Sequence, residues 1–144
     1  MNHSTLPNIA IVDDDANLQK TLADILKVKG YLPVAYKSGR EALAQIPHSD
    51  IAVVLLDLRL SDMSGLEVLR GVKENSPATE CILLTGYASQ HSAIEAINRG
   101  AYSYFQKPFD IDQLMLSIQR AIEKRQAALE LRKSEERYRM LAEN

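Results

Sequence analysis

Asp57 closes an unbroken apolar run, Ile51-Ala52-Val53-Val54-Leu55-Leu56, and Asp13-Asp14-Asp15 close another, Ile9-Ala10-Ile11-Val12. Thr85 follows Cys81-Ile82-Leu83-Leu84, and Lys107 follows Tyr102-Ser103-Tyr104-Phe105-Gln106. Brought together, carboxylates, a hydroxyl and an ammonium could hold a metal ion and a phosphoryl group. Carboxylates about 4 Å apart repel by roughly 4 kcal/mol at an effective dielectric of 20, so they take up protons or recruit a cation. Oxygen-only ligands with positions left to water suit Mg²⁺. A strand-end aspartate can also accept a phosphoryl group. Transfer then asks for positioning and charge neutralisation more than covalent help. Each residue has a plainer reading as well. Acidic residues favour a helix's first turn, and Asp15 is expected to be that cap, with Asp13 and Asp14 doing more. Lys107 alone would be a solvated lysine, and Thr85 a β-branched strand residue. All of them at one edge is a much rarer coincidence.

That edge follows from the elements. Short apolar runs without alternation predict strands buried on both faces of a parallel sheet, at about 8–12, 31–36, 51–57, 80–85 and 102–106. Ligands of such sheets bind outside the carboxyl ends of the strands, where all four groups fall. Amphipathic stretches lie between them. The first carries Leu18, Leu22, Ile25 and Leu26 and stops at Gly30. The second carries Ala42, Leu43 and Ile46 and stops at Pro47; the third carries Leu66, Leu69 and Val72, with Pro77 beyond. The fourth carries Ala93, Ile94, Ala96 and Ile97 and stops at Gly100. Gly or Pro past the last periodic residue is a helix stop. The fifth opens on Asp110 as N-cap, with Gln113 at its third position. Ile111, Leu114, Met115, Ile118, Ala121 and Ile122 give it one apolar face. Alternation of this kind predicts a doubly wound α/β sandwich with right-handed crossovers.

Composition narrows the class. A chain of 144 residues, 46% apolar and 25% charged, suits one soluble domain plus an extra element. A net charge of -2 argues against direct nucleic-acid binding, which rests on neutralising phosphates. No apolar stretch approaches the roughly 20 residues that cross a bilayer, and the start has no signal-peptide character. Cys81 is alone and reads as a small buried hydrophobe. His3, His48 and His91 read as surface residues. A cytoplasmic location is expected.

The chain resembles the receiver domain of two-component response regulators over residues 7–124. The resemblance is carried by Ile11-Val12-Asp13-Asp14-Asp15, by Leu55-Leu56-Asp57-Leu58 with Met63-Ser64-Gly65, by Leu83-Leu84-Thr85-Gly86, and by Tyr104-Phe105-Gln106-Lys107-Pro108-Phe109. It implies a flavodoxin-like sheet of order 2-1-3-4-5 with five helices. It implies that Asp57 takes a phosphoryl group from a phosphohistidine of a partner sensor kinase or phosphotransfer protein. Asp14, Asp57 and the backbone carbonyl of Arg59 would hold Mg²⁺, with Asp13 helping through water. Lys107 would pair with the phosphoryl group or, before phosphorylation, with Asp57. Thr85 would swing toward the phosphoryl oxygen and Tyr104 would rotate inward, moving the face made by the fourth helix, fifth strand and fifth helix. That face or the C-terminal helix could serve a homodimer. A cis Lys107–Pro108 bond is implied too.

Some positions depart from the family's pattern. Ser61 stands where proline is frequent, which suggests a more mobile loop. Arg59 and Tyr87 flank the site where the family tunes the lifetime of the phosphorylated state. From Lys124 onward the chain is rich in Lys, Arg, Glu and Leu without Gly or Pro, predicting an extended fifth helix. A heptad seam there is broken by Arg125 and Arg132, leaving a solvated helix and a coiled coil equally open. Residues 131–144 resemble the lead-in to a PAS domain. Residues 1–6 are expected to be disordered, 7–124 the receiver, and 125–144 a helical linker. An aspartyl-phosphate hydrolase would carry a second Asp where Arg59 stands. A flavodoxin-like mononucleotide binder would need a Ser/Thr/Gly-rich loop where three aspartates stand. The expected role is a phosphoacceptor signalling domain rather than an enzyme acting on other substrates.

Overall fold

The computed structural model describes residues 6–86 and 90–142. Five strands alternate with five helices: β1 (Asn8–Val12), α1 (Ala16–Val28), β2 (Leu32–Tyr36), α2 (Gly39–Gln45), β3 (Ile51–Leu56), α3 (Gly65–Asn75), β4 (Glu80–Thr85), α4 (Gln90–Asn98), β5 (Ser103–Gln106) and α5 (Ile111–Ala142). The strands form one sheet in the order β2-β1-β3-β4-β5, all pairs parallel. Every residue of β3 and β4 is buried, as their unbroken apolar runs require of strands covered on both sides. Successive side chains point to opposite faces, so each strand feeds two cores. Ala10, Val12, Val54, Leu56 and Leu83 meet Ala42, Val68, Leu69, Val72 and Ala96 on one face. Ile9, Ile11, Val53, Leu55 and Ile82 meet Leu22 and Leu26 of α1 and Leu114, Ile118, Ala121 and Ile122 of α5 on the other.

The helix boundaries follow their caps. The Asp15 side chain accepts from the amides of Asn17 and Leu18, and that of Asp110 accepts from Asp112 and Gln113. Gly30 and Gly100 take positive φ, a conformation glycine adopts without steric cost, just past α1 and α4. Helix α2 ends at Gln45 with Ile46 as its C-cap, just ahead of Pro47, and a 3-10 turn, Ile46–His48, follows it. A proline is tolerated there because the first amides of a helix need no internal acceptor.

Helix α5 changes character along its length. Ile122 is its last buried residue, and the next turn is fastened to the amino-terminal edge of the sheet. Lys124 Nζ lies 3.4 Å from Glu80 at the start of β4, and Arg125 Nη2 lies 2.7 Å from Asp50, just before β3. Beyond them Leu131, Tyr138, Met140 and Leu141 are 60–77% exposed. Among the described residues, no helix is long and apolar enough to cross a membrane. Because residues 127–142 add no fully buried side chain and only the half-buried Leu129, removing 127–144 should leave the urea unfolding free energy within about 1 kcal/mol of the intact chain. Ending the chain before Ile118 should abolish cooperative unfolding, since it strips one core of its helix.

Candidate functional site

Two backbone hydrogen bonds carry the sheet past its last ladder pairs. The Asp57 amide donates to the Val12 carbonyl at 2.9 Å, and the Lys107 amide donates to the Thr85 carbonyl at 2.8 Å. They hold Asp57 and Lys107, each just outside its strand, over the carboxyl ends of β1 and β4. Lys107 Nζ then reaches Asp13 Oδ2 at 2.8 Å and Asp57 Oδ2 at 3.3 Å. The second oxygen of each carboxylate is held by its own loop. Asp13 Oδ1 accepts from the Asp15 amide at 2.8 Å, and Asp57 Oδ1 accepts from the Arg59 amide at 3.1 Å. Beside this triad is an open depression of about 390 Å³ lined by Asp57, Arg59, Thr85, Gly86 and Lys107.

Asp13 is 4% exposed and Thr85 1%. Burial on its own would push the Lys107 ammonium toward its neutral form. The hydrogen bond and charge of Asp13, followed by the charge and hydrogen bond of Asp57, outweigh it and hold the pKa above the ordinary 10.5. One ammonium faces two carboxylates, so the triad keeps a net negative charge. Asp14 is exposed and does not close a three-carboxylate cluster with them. Among the described residues, no group of three or more His, Cys, Asp or Glu is arranged to hold a metal ion. The Lys107 ammonium stands between Asp13 and Asp57 instead.

A family model described as the response regulator receiver domain matches residues 9–119. The chain belongs to this family. The regulatory protein AtoC of Escherichia coli is 34% identical over 129 residues, covering 90% of this chain and 28% of that protein. The chain thus spans little more than a quarter of that relative's length. A CheY-like receiver domain protein from Methanospirillum hungatei superposes with a TM-score of 0.82 at 31% identity, covering 86% of this chain and 99% of the other. The beryllofluoride-activated NtrC4 receiver domain dimer gives a TM-score of 0.78 at 35% identity, over 82% and 98% of the two chains.

In this receiver the remaining candidate residues lie as follows. Tyr104 pairs with Leu83 across the β4–β5 ladder and is half-buried against the core under α2, α3 and α4. Burial raises its phenol pKa. The Lys107–Pro108 bond is cis, as the resemblance implied. Tyr87 lies outside the described residues. His48 and His91 are exposed. The loop after Asp57, expected to be loose for want of a proline at Ser61, is tied at several points. Arg59 bridges Ser64, the Gly65 amide donates to the Leu58 carbonyl at 2.8 Å, and Asp62 bonds to the start of α2. A Cβ on Gly65 would run into the Asp57 carbonyl oxygen, so glycine is required where α3 starts against the site.

Two contributors were not found by reading the sequence. Gln19 Nε2 donates to the carbonyls of Asp13 at 2.6 Å and Tyr36 at 3.0 Å, fixing the β1 loop against the end of β2. Asp62 is the other. The only local signal for Gln19 is its place one turn after Asp15, on the side of α1 that faces the strand ends.

Lys107→Met leaves Asp13 buried without its cation. We expect a loss of about 1–3 kcal/mol at pH 7 in urea unfolding, the scale for orphaning a buried polar group. The sign of its pH dependence is fixed. A raised lysine pKa gives stability that is complete below about 10.5 and lost as pH rises through the raised value. The gap between wild type and Lys107→Met should therefore close above pH 10.5.

Proposed function

We propose that Asp57 is the phosphoacceptor of this receiver, taking its phosphoryl group from a phosphohistidine on a sensor kinase or phosphotransfer protein. The observation that carries the reading is the Lys107 ammonium shared by Asp13 and Asp57 beside a depression that Asp57, Thr85 and Lys107 line. An Asp57 carboxylate oxygen forms the bond to phosphorus while the donor's P–N bond breaks. The Arg59 amide keeps the carboxylate oriented. Lys107 turns from Asp57 toward the incoming phosphoryl oxygens, and the Thr85 hydroxyl donates to one of them. Positioning and charge neutralisation of this kind are most of what such a transfer needs.

The donor set fits Mg²⁺. It offers only carboxylate and carbonyl oxygen, and it carries more negative charge than Lys107 offsets. Asp57 and the Arg59 carbonyl would hold the ion together with Asp14, whose exposed side chain would turn in to complete the set, with Asp13 assisting through water. Bound there, Mg²⁺ would supply the positive charge that lets an anionic donor approach an anionic acceptor. Arg59 and Tyr87, two residues beyond Asp57 and Thr85 respectively in the sequence, would shield the acyl phosphate from water. Replacing both with alanine should shorten its half-life, measured by loss of the phosphoryl mass over time.

After transfer, movement of Thr85 and inward rotation of Tyr104 would reshape the surface of α4, β5 and α5. Residues 7–124 form the switching unit. Residues 125–144 act as a helical linker toward a PAS-like domain, with the α4-β5-α5 face or α5 itself as a dimer contact. The setting is the cytoplasm, without direct contact to nucleic acid or insertion into a membrane. The domain signals rather than turning over a substrate of its own.

Intact-mass analysis with acetyl phosphate and Mg²⁺ tests the assignment. Wild type should gain one phosphoryl mass, and Asp57→Asn, or wild type with chelator, should gain none. An equal gain in Asp57→Asn would move the acceptor elsewhere, and turnover of acetyl phosphate without a trapped adduct would favour a hydrolase.

A further inference from the structure

Helix α2 is capped from a distance. Ser38 serves the Glu41 amide at 3.1 Å, as a local N-cap does. The two amides before it are taken by Asp62, 22 and 23 residues further along the chain. Gly39 donates to Asp62 Oδ1 at 3.0 Å, and Arg40 donates to Asp62 Oδ2 at 2.9 Å. Both oxygens of a surface carboxylate are thus committed to backbone. Met63, the next residue, packs where a Gly39 side chain would stand: a Cβ there would come within 2.6 Å of Met63 Cγ. Asp62 and Met63 dock the loop after the acceptor onto α2 by charge and by fit.

The other end of that loop reaches Asp57. The Arg59 amide donates to Asp57 Oδ1, and the Arg59–Ser64 bridge closes the loop's neck. The loop from Leu58 to Ser64 contains no proline. Proline stiffens such a loop by removing conformational freedom. Here the stiffness has to come from contacts.

We propose that Asp62 is a positioning residue for the acceptor: by clamping the β3–α3 loop to α2, it keeps the Arg59 amide aimed at the Asp57 carboxylate. The inference rests on Asp57 being the acceptor. The Arg40 and Gly39 amides hold the Asp62 carboxyl below its ordinary range, which favours the ionised form that the clamp uses. Asp62 is exposed and lends no apolar area to the core, so losing it should disturb aim far more than stability.

Amide hydrogen exchange, followed by NMR without metal or phosphodonor, reads the clamp directly. In Asp62→Ala, exchange at Gly39, Arg40 and Arg59 should rise at least about tenfold, the scale of one hydrogen bond to a charged group. Asp62→Asn, which keeps one acceptor oxygen, should fall between. Phosphorylation by acetyl phosphate should slow severalfold in Asp62→Ala while the thermal midpoint stays within a few degrees. Adding Ser61→Pro should restore the rate and the protection of Arg59, but not that of Gly39 and Arg40. A purely structural cap predicts no such split. Unchanged exchange at Arg59 in Asp62→Ala, or an unchanged phosphorylation rate, overturns the proposal. A wild type that accepts no phosphoryl group sinks the reading of Asp57 instead, and exchange at Arg59 then decides Asp62 by itself.

Discussion

Two carboxylates held at one sheet edge repel, and the ammonium of Lys107 is what lets them stay there. At 4 Å and an effective dielectric of 20 such repulsion is about 4 kcal/mol, a large fraction of the stability of a small domain. Asp13 cannot shed the problem to water, because it is buried. Lys107 answers it from β5, two strands away from Asp57 in the sheet order. The answer is incomplete by one charge, and that deficit is what a cation at the proposed site would offset. A site fully neutralised by its own residues would have nothing to offer a divalent ion.

Such a triad depends on register. Val12 pairs with Leu56, Leu56 with Leu83, and Thr85 with Gln106. Asp13 and Asp57, the next residues out, consequently arrive at the same level, and Lys107, two residues beyond Phe105 at that level, reaches back to them along its side chain. A slip of one residue would turn the apolar runs over and carry these groups away from each other. The core and the site are therefore specified together: the alternation that sends Val54 and Leu56 to one face and Val53 and Leu55 to the other also fixes where Asp57 ends.

Much of this was legible in the sequence. The unbroken runs of β1, β3 and β4 read directly as buried strands, and Asp15 and Asp110 read as caps because their chemistry is local. The strand order was not in the periodicity; it came with the family resemblance. Nor could the sequence show that Lys107 sits closer to Asp13 than to Asp57, since that follows from side-chain reach across folded strands. Pro47 read correctly as the stop of α2, while the 3-10 turn that follows the helix left no mark in the periodicity. Gln19 and Asp62 stayed hidden for a common reason. Each bonds to backbone groups beyond its own turn, Gln19 as donor and Asp62 as acceptor, and neither residue type nor spacing marks such a partner. The mobility expected from Ser61 missed the same thing: a loop lacking proline can be held by its contacts.

The two edges of the sheet have different tasks. Loops at the carboxyl edge carry the candidate site residues on a rigid scaffold, the usual division in such folds. At the amino edge, Arg125 and Lys124 fasten the first exposed turn of α5 to Asp50 and Glu80, the entries to β3 and β4. Those same strands lead to Asp57 and Thr85. The projecting part of α5 is therefore referenced to the sheet rather than to a mobile loop, and a turn of α5 on its core face would be carried outward along its length. Coupling through packed elements needs two discrete arrangements, and the half-buried Tyr104, on the strand next to β4, lies where a second arrangement could begin. The fold thus separates a charged edge from an anchored helix, with one sheet between them.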